Sequence, residues 1–294
     1  MIRVFYIPGN TNNTGIEMYT ADISRGNPTC FLFLIDQSGS MEDPFGGQAS
    51  GSKAQAVADV INRLLQNLVL RCAKAEGIRD YFHVGVIGYG VKVGPAFGGD
   101  LSGEDLVPIS TIGDQPLMIE ERMQKVPDGA GGVVEQEVKF PIWFEPVAKG
   151  PTPMKQALKK AESILVEWLD DHPDCFPPIM INISDGEPTD GDPSQVAESI
   201  MQLESSDGNV LLFNLHLSSS KASPIEFPDS NDNLPDEFAR LLYDMSSVLP
   251  EKIRFEAGSE GFKVTDESRG FIFNSDMVKV IQFLDIGTRA TNLR

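Results

Sequence analysis

The apolar positions of this chain fall into two patterns, continuous runs and three-to-four-residue periodicity, which mark strands exchanging with helices. CFLFLID (30–36), FHVGVIGYG (82–90), IMINISD (179–185), VLLFNLHL (210–217) and GFIFN (270–274) have the length and apolarity of sheet strands. Between them, residues 53–75 place Val57, Ile61, Leu64, Leu68 and Cys72 on one helical stripe. Residues 152–171 do the same with Met154, Leu158, Ala161, Leu165, Trp168 and Leu169. The first helix opens on Ser52-x-x-Gln55, a capping-box pattern, and Gly77 lies just past its end. Further helices are predicted after Asp192-Pro193, across 235–248 and from Ser275 onward. This alternation predicts an α/β fold, an open and mostly parallel sheet covered by helices on both faces.

Two stretches break the rhythm. Residues 91–150 are rich in Gly, Pro and acids, with short strands predicted at 106–112 and 133–145. So long an elaboration points to a functional or capping role. Residues 94–135 within it are expected to contribute to a partner interface and to be separable from the sheet. Residues 218–234 read as a polar surface loop.

Composition narrows the partners. The chain has 294 residues, 43 acidic against 24 basic, and a net charge of −19. Such a surface repels phosphate backbones and anionic lipid, so no nucleic acid and no membrane are expected as partners, while cations and basic protein faces suit it. No apolar run has the length of a membrane span, and the N-terminus lacks the apolar core of a signal peptide. Cys30, Cys72 and Cys175 form no CxxC pair and indicate no disulfide framework. A cytoplasmic setting is the expectation.

The candidate chemistry sits at the ends of two strands. The first strand ends in Asp36-Gln37-Ser38-Gly39-Ser40, an acid followed by two hydroxyls at alternate positions. In an open parallel sheet ligands bind beyond the carboxyl ends of strands, and magnesium takes an octahedron of hard oxygens. Taken alone, D-x-S-x-S also fits a plain strand-to-helix turn. ISDGEP (183–188) ends another buried strand in a second carboxylate, Asp185. GPTPM (150–154) puts Thr152 at the head of the intervening helix, where a bland reading makes it the N-cap before Pro153. Glu187, Asp190 and Asp192 crowd the next loop without the spacing of a calcium loop. Asp192 reads as a helix cap. Gly129 to Gly132 reads as a turn rather than a phosphate loop.

D-x-S-x-S, a Thr at a helix start and S-D-G closing a later strand together resemble the metal-ion-dependent adhesion site of von Willebrand factor type A domains. The resemblance covers about residues 29–285, with 1–28 as an N-terminal extension on or near a single domain of residues 29–294. It implies a Rossmann-like sheet ordered 3-2-1-4-5-6 with one short antiparallel edge strand. It implies that Ser38, Ser40 and Thr152 coordinate Mg²⁺ (or Mn²⁺) directly while Asp36 and Asp185 hold its waters. Three neutral hydroxyls leave the ion's charge largely uncompensated, so it attracts an Asp or Glu carboxylate from a partner protein. In character the chain is similar to stand-alone bacterial cytoplasmic members of tellurite-resistance type. By that analogy its partner belongs to a kinase, phosphatase or MoxR-type ATPase system. The expected function is therefore a non-enzymatic, metal-dependent protein-binding module. The alternative is a metal-dependent hydrolase or phosphoryl-transfer enzyme using the same aspartates. That alternative lacks, in the sequence, a general base, a Lys or Arg near the motifs and the second Asp of a D-x-D nucleophile loop.

Overall fold

The computed structural model describes residues 18–44, 51–127, 132–218 and 222–275, together with 279 and 282. The predicted helix after Ser275, most of the N-terminal extension and Gly129–Gly131 lie outside these residues.

The first strand, β1 (Thr29–Asp36), is buried at every position. Side chains alternate across a strand, so Phe31, Phe33 and Ile35 join one core while Cys30, Leu32 and Leu34 join the other. Helix α1 (Lys53–Cys72) covers the first face with Val57, Ile61, Leu64 and Leu68. Ser52 caps it by accepting the Gln55 N–H at 3.2 Å. The Gln55 side chain turns to Asp59 at 3.1 Å, so only half of the capping box forms. The helix ends at Cys72, three residues before the predicted end, because a tight hairpin of β2 (Ala73–Lys74) and β3 (Gly77–Ile78) follows directly. Gly77 serves that hairpin rather than the helix end.

Strand β4 (Phe82–Tyr89) pairs in parallel with β1, and β5 (Val93–Pro95) folds back on β4. Strand β6 (Val107–Pro108) also pairs with β4, after which α2 (Ile109–Asp114) forms where the sequence pattern predicts a strand over 106–112. Phe97, Leu101, Val107, Ile109 and Ile112 are buried in the α1 core. The expectation that residues 94–135 are separable from the sheet is therefore wrong: their first half completes the core. Their second half enters a long antiparallel ribbon, β7 (Met118–Pro127) with β8 (Val133–Ile142). The ribbon is moored at its base, where Trp143 N–H donates to Asn62 Oδ1 at 2.9 Å and Asn62 Nδ2 donates to Phe144 O at 3.0 Å. Toward its tip Met123 and Val134 are exposed.

Helix α3 (Met154–Asp171) covers the second face with Leu158, Ala161 and Leu165 and leads into β9 (Ile179–Ser184). Then come α4 (Ser194–Gln202), a small hairpin of β10 (Glu204–Ser205) and β11 (Gly208–Asn209), and β12 (Leu211–His216). The segment read as a polar loop supplies an edge strand, β13 (Ile225–Glu226), and buries Phe227. The helix predicted over 235–248 forms as the shorter α5 (Glu237–Asp244), and a helix the pattern did not predict, α6 (Glu251–Ser259), follows with Pro250 at its N-cap position. Strand β14 (Phe271–Phe273) is the last in the described residues.

The main sheet runs β13-β14-β12-β9-β1-β4-β5, with β6 also beside β4. From β5 to β14 this is the order implied by the resemblance. Five strands are parallel, and β13 adds an antiparallel strand at the edge opposite β5 and β6. The chain leaves β1 toward β4 on one side and returns to β9 on the other. That reversal opens a crevice at the carboxyl ends of β1 and β9.

Candidate metal centre

The parallel register sets Ile35 beside Ile183, so Asp36 and Ser184 follow as neighbours at the strand ends. Both oxygens of Asp36 are engaged: Oδ1 accepts the Ser38 N–H and Oδ2 accepts the Ser184 hydroxyl, each at 2.8 Å. A carboxylate held this way is fully buried. Burial pushes its pKa up to about 6, against the pull of the Ser38 and Ser184 hydrogen bonds and with Asp185 adding to the rise.

The hydroxyls converge above it. Ser38 Oγ and Ser40 Oγ lie 3.0 Å apart, and the Ser40 hydroxyl donates to Asp185 Oδ1 at 2.8 Å. With its single proton spent on Asp185, Ser40 is the acceptor in the Ser38 contact, and lone pairs remain to face a cation. Adjacent corners of a magnesium octahedron lie about 2.9 Å apart, given metal–oxygen distances of about 2.1 Å. The 3.0 Å between Ser38 Oγ and Ser40 Oγ matches that edge, and Asp185 stands behind Ser40 as a carboxylate that could hold a water of the ion, so the residues present fit a small hard cation. The set consists of hydroxyls and two carboxylates, hard oxygens that suit Mg²⁺ or Mn²⁺, and among the described residues no three His, Cys, Asp or Glu side chains cluster as a metal site.

The segment before Thr152 is tied to the same loop through backbone contacts. Gly39 N–H donates to Gly150 O at 3.0 Å and Lys149 N–H to Gln37 O at 2.6 Å, which ties the D-x-S-x-S loop to the segment before α3. Two glycines permit this closeness. A Cβ on Gly90 would stand 2.7 Å from Gln37 O and 2.8 Å from Lys149 O, and Gly150 has φ +96° with Val91 N 2.8 Å from its virtual Cβ.

The bland reading of Thr152 fails. Helix α3 starts at Met154 with Pro153 in the cap position, and no side chain of the preceding residue caps it. Asp190 does so from the next loop, accepting Lys155 N–H at 3.1 Å and Gln156 N–H at 2.9 Å. Thr152 is buried, with its backbone held in both directions by Thr189 at 3.0 and 2.9 Å. Thr152→Gly is accordingly expected to leave α3 intact while lowering Mg²⁺ affinity tenfold or more, and Thr152→Ser to match wild type. Calorimetric titration of the three chains checks this, and equal affinities would remove Thr152 from the site.

The sequence reading found no lysine near the motifs, but the structure brings one in. Lys53 Nζ lies 2.6 Å from Asp185 Oδ2 and 3.4 Å from Ser40 O, and the residue is 2% exposed. Ser184, which holds Asp36, and the capping role of Asp190 are likewise visible only in the structure. A Lys at the first position of a helix, where the dipole disfavours it, was the available signal. Asp192 does accept the Ser194 N–H at 2.9 Å, at the head of α4. His216 is buried in β12, its Nε2 3.3 Å from Asp185 O, and burial lowers its pKa.

No protein-family model matches the sequence, nor does any curated protein. Solved structures similar in part include a von Willebrand factor type A protein from Catenulispora acidiphila, at 15% identity and a TM-score of 0.37 over 65% of this chain and 33% of that one. The ArnB paralog VWA2 from Sulfolobus acidocaldarius is 17% identical, TM-score 0.35, over 67% of this chain and 36% of that one. The PilB minor pilin of Streptococcus sanguinis is 10% identical, TM-score 0.41, over 89% of this chain and 61% of that one. This chain thus spans roughly a third of the length of the first two.

Proposed function

We propose that this chain is a divalent-cation-dependent protein-binding module of the von Willebrand factor type A kind. In this reading Asp36, Ser38, Ser40, Thr152 and Asp185 hold Mg²⁺ or Mn²⁺. The observation that carries it is the octahedral-edge spacing of Ser38 Oγ and Ser40 Oγ at the crevice beside β1, with Asp185 Oδ1 accepting the Ser40 hydroxyl. When bound, the ion supplies a coordination position that accepts an Asp or Glu carboxylate from the partner. Ser40 is the exposed member of the set, so the site opens on its side. Next to Asp185, Glu187, Pro188, Asp192, Glu237, Phe238 and Leu241 line a groove whose three carboxylates suit basic residues flanking the partner's acid. A kinase, phosphatase or MoxR-type ATPase system in the cytoplasm remains the proposed setting, by analogy alone.

The geometry argues against the hydrolase or phosphoryl-transfer alternative. Both carboxylates are oriented by neighbours, Asp36 by Ser38 and Ser184 and Asp185 by Ser40 and Lys53, as supports for a cation and its waters would be. Lys53 is committed to Asp185 and is not presented to a phosphate. Mg²⁺ or Mn²⁺ is expected to raise the melting temperature of the wild type. Partner retention should be sensitive to EDTA, and hydrolysis of nucleotides and phosphoesters should stay at background. Metal-dependent turnover lost in Asp185→Ala would decide for the enzyme instead.

A further inference from the structure

Lys53 is an expensive residue to place where it stands. It opens α1, so its ammonium opposes the positive end of the helix dipole, and its side chain turns away from water to reach Asp185. Long cationic side chains ordinarily snorkel outward, and a buried one needs a specific partner. Here the partner is a carboxylate whose other oxygen already accepts the Ser40 hydroxyl. Nothing in packing demands this arrangement: the α1 stripe that fills the core is aliphatic, and Lys53 lies at its end.

We propose that Lys53 is a resident counter-cation of the metal site, which keeps affinity for the bare divalent ion low and couples its retention to an anionic partner group. This rests on the metal reading above and extends it to regulation of the same site. The charges make the case. Asp36 and Asp185 with Lys53 leave the site one negative charge, a divalent ion takes it one charge positive, and a partner's carboxylate returns it to neutral. Without Lys53 the ion alone would neutralise the site, and the partner's carboxylate would then bring an excess negative charge. The lysine therefore moves the point of charge balance from the metal-bound protein to the metal-bound complex. By linkage, whatever factor the carboxylate adds to metal affinity, the metal adds to carboxylate affinity.

The test is calorimetric titration of Mg²⁺, and separately Mn²⁺, into the full chain at pH 7.5, with and without acetate as the simplest carboxylate. Lys53→Gln keeps an N–H donor for Asp185 and removes the charge, so it preserves the fold better than an aliphatic replacement. Lys53→Gln is expected to bind Mg²⁺ alone at least tenfold more tightly than wild type, with acetate adding less. Lys53→Arg keeps the charge and should stay within about threefold of wild type. The melting temperature of Lys53→Gln should fall in EDTA and recover in Mg²⁺, since the ion takes over the neutralisation of Asp185. Unchanged or weaker Mg²⁺ binding in Lys53→Gln overturns the inference and makes Lys53 a support for Asp185. Binding in neither chain, with either ion, overturns the metal reading itself. Binding in Lys53→Gln but not in wild type supports both.

Discussion

Asp185→Ala is expected to lower the free energy of unfolding by about 3–5 kcal/mol in EDTA, where no divalent ion contributes. The reason is the residue it abandons. The side chains of Lys53 and Asp185 are 3% and 1% exposed at a separation of 2.6 Å, and removing the carboxylate strands an ammonium in a site that water barely reaches. Losing one partner of a buried pair costs far more than losing both, because the lone charge keeps its desolvation penalty without its compensation. The double variant Asp185→Ala/Lys53→Met should therefore recover most of the loss. Urea unfolding of wild type, both single variants and the double variant measures this as a coupling energy. A loss below about 1 kcal/mol in Asp185→Ala would mean that the pair is solvated and contributes like a surface ion pair. In the same series, addition of Mg²⁺ should stabilise wild type and leave Asp185→Ala unmoved.

The second large effect is a dependence on pH with the opposite sign to that of most carboxylates. Asp36 titrates at about 6 in the folded protein against an ordinary 3.8, raised chiefly by burial. A raised carboxylate pKa means the folded state holds the proton more tightly than the unfolded state does. The stability this contributes is fully present below 3.8 and is lost as pH rises through about 6. The difference of about 2 units corresponds to about 3 kcal/mol at neutral pH in the absence of metal. Asp185, just past the end of β9, and Tyr89 of β4 are the titratable groups that act on Asp36. Asp36→Asn, which keeps acceptor and donor positions for Ser38 and Ser184, isolates the effect from the general charge of the chain. The difference in unfolding free energy between wild type and Asp36→Asn in EDTA should change between about pH 4 and pH 6 and be flat above. A difference that stays constant over that range would show that Asp36 is solvated. Because a proton and a divalent ion compete for Asp36, the Mg²⁺-induced stabilisation of wild type should shrink as pH falls through the same window.

The strands and the two long helices were legible in the sequence because burial on both faces leaves a simple record. CFLFLID, IMINISD and the stripes of residues 53–75 and 152–171 are apolar for the same reason that they are central. Four of the five proposed metal-site residues were legible as chemistry for a second reason. In an open parallel sheet the end of a strand is where a ligand must bind, so an acid and alternating hydroxyls at such an end carry meaning on their own. Thr152 was legible only as an alternative between cap and ligand. The structure removed the cap by bringing Asp190 to α3 from a loop some 35 residues away in sequence.

What the sequence left open depends on contacts between segments that local pattern cannot rank. Residues 94–135 looked separable because glycines and acids dominate them, yet the sparse Phe97, Leu101, Ile109 and Ile112 meet across that segment to close the α1 core. Tyr89, Asn182, Asn214 and Ser246 read as incidental polar residues in or beside strands. In the fold they form a buried chain of hydrogen bonds at 2.8, 2.9 and 3.0 Å across β4, β9 and β12, which penalises any slip of register beneath the site. Lys53 was the costliest omission. On a helical wheel a Lys at the first turn is an ordinary solvated residue, and only the crossing of α1 over the end of β1 decides that its ammonium meets Asp185. The sequence by itself determined that Asp36 and Asp185 stand at the ends of neighbouring buried strands; the tertiary structure alone decided which charge Asp185 faces, because that charge arrives from a different element and through space.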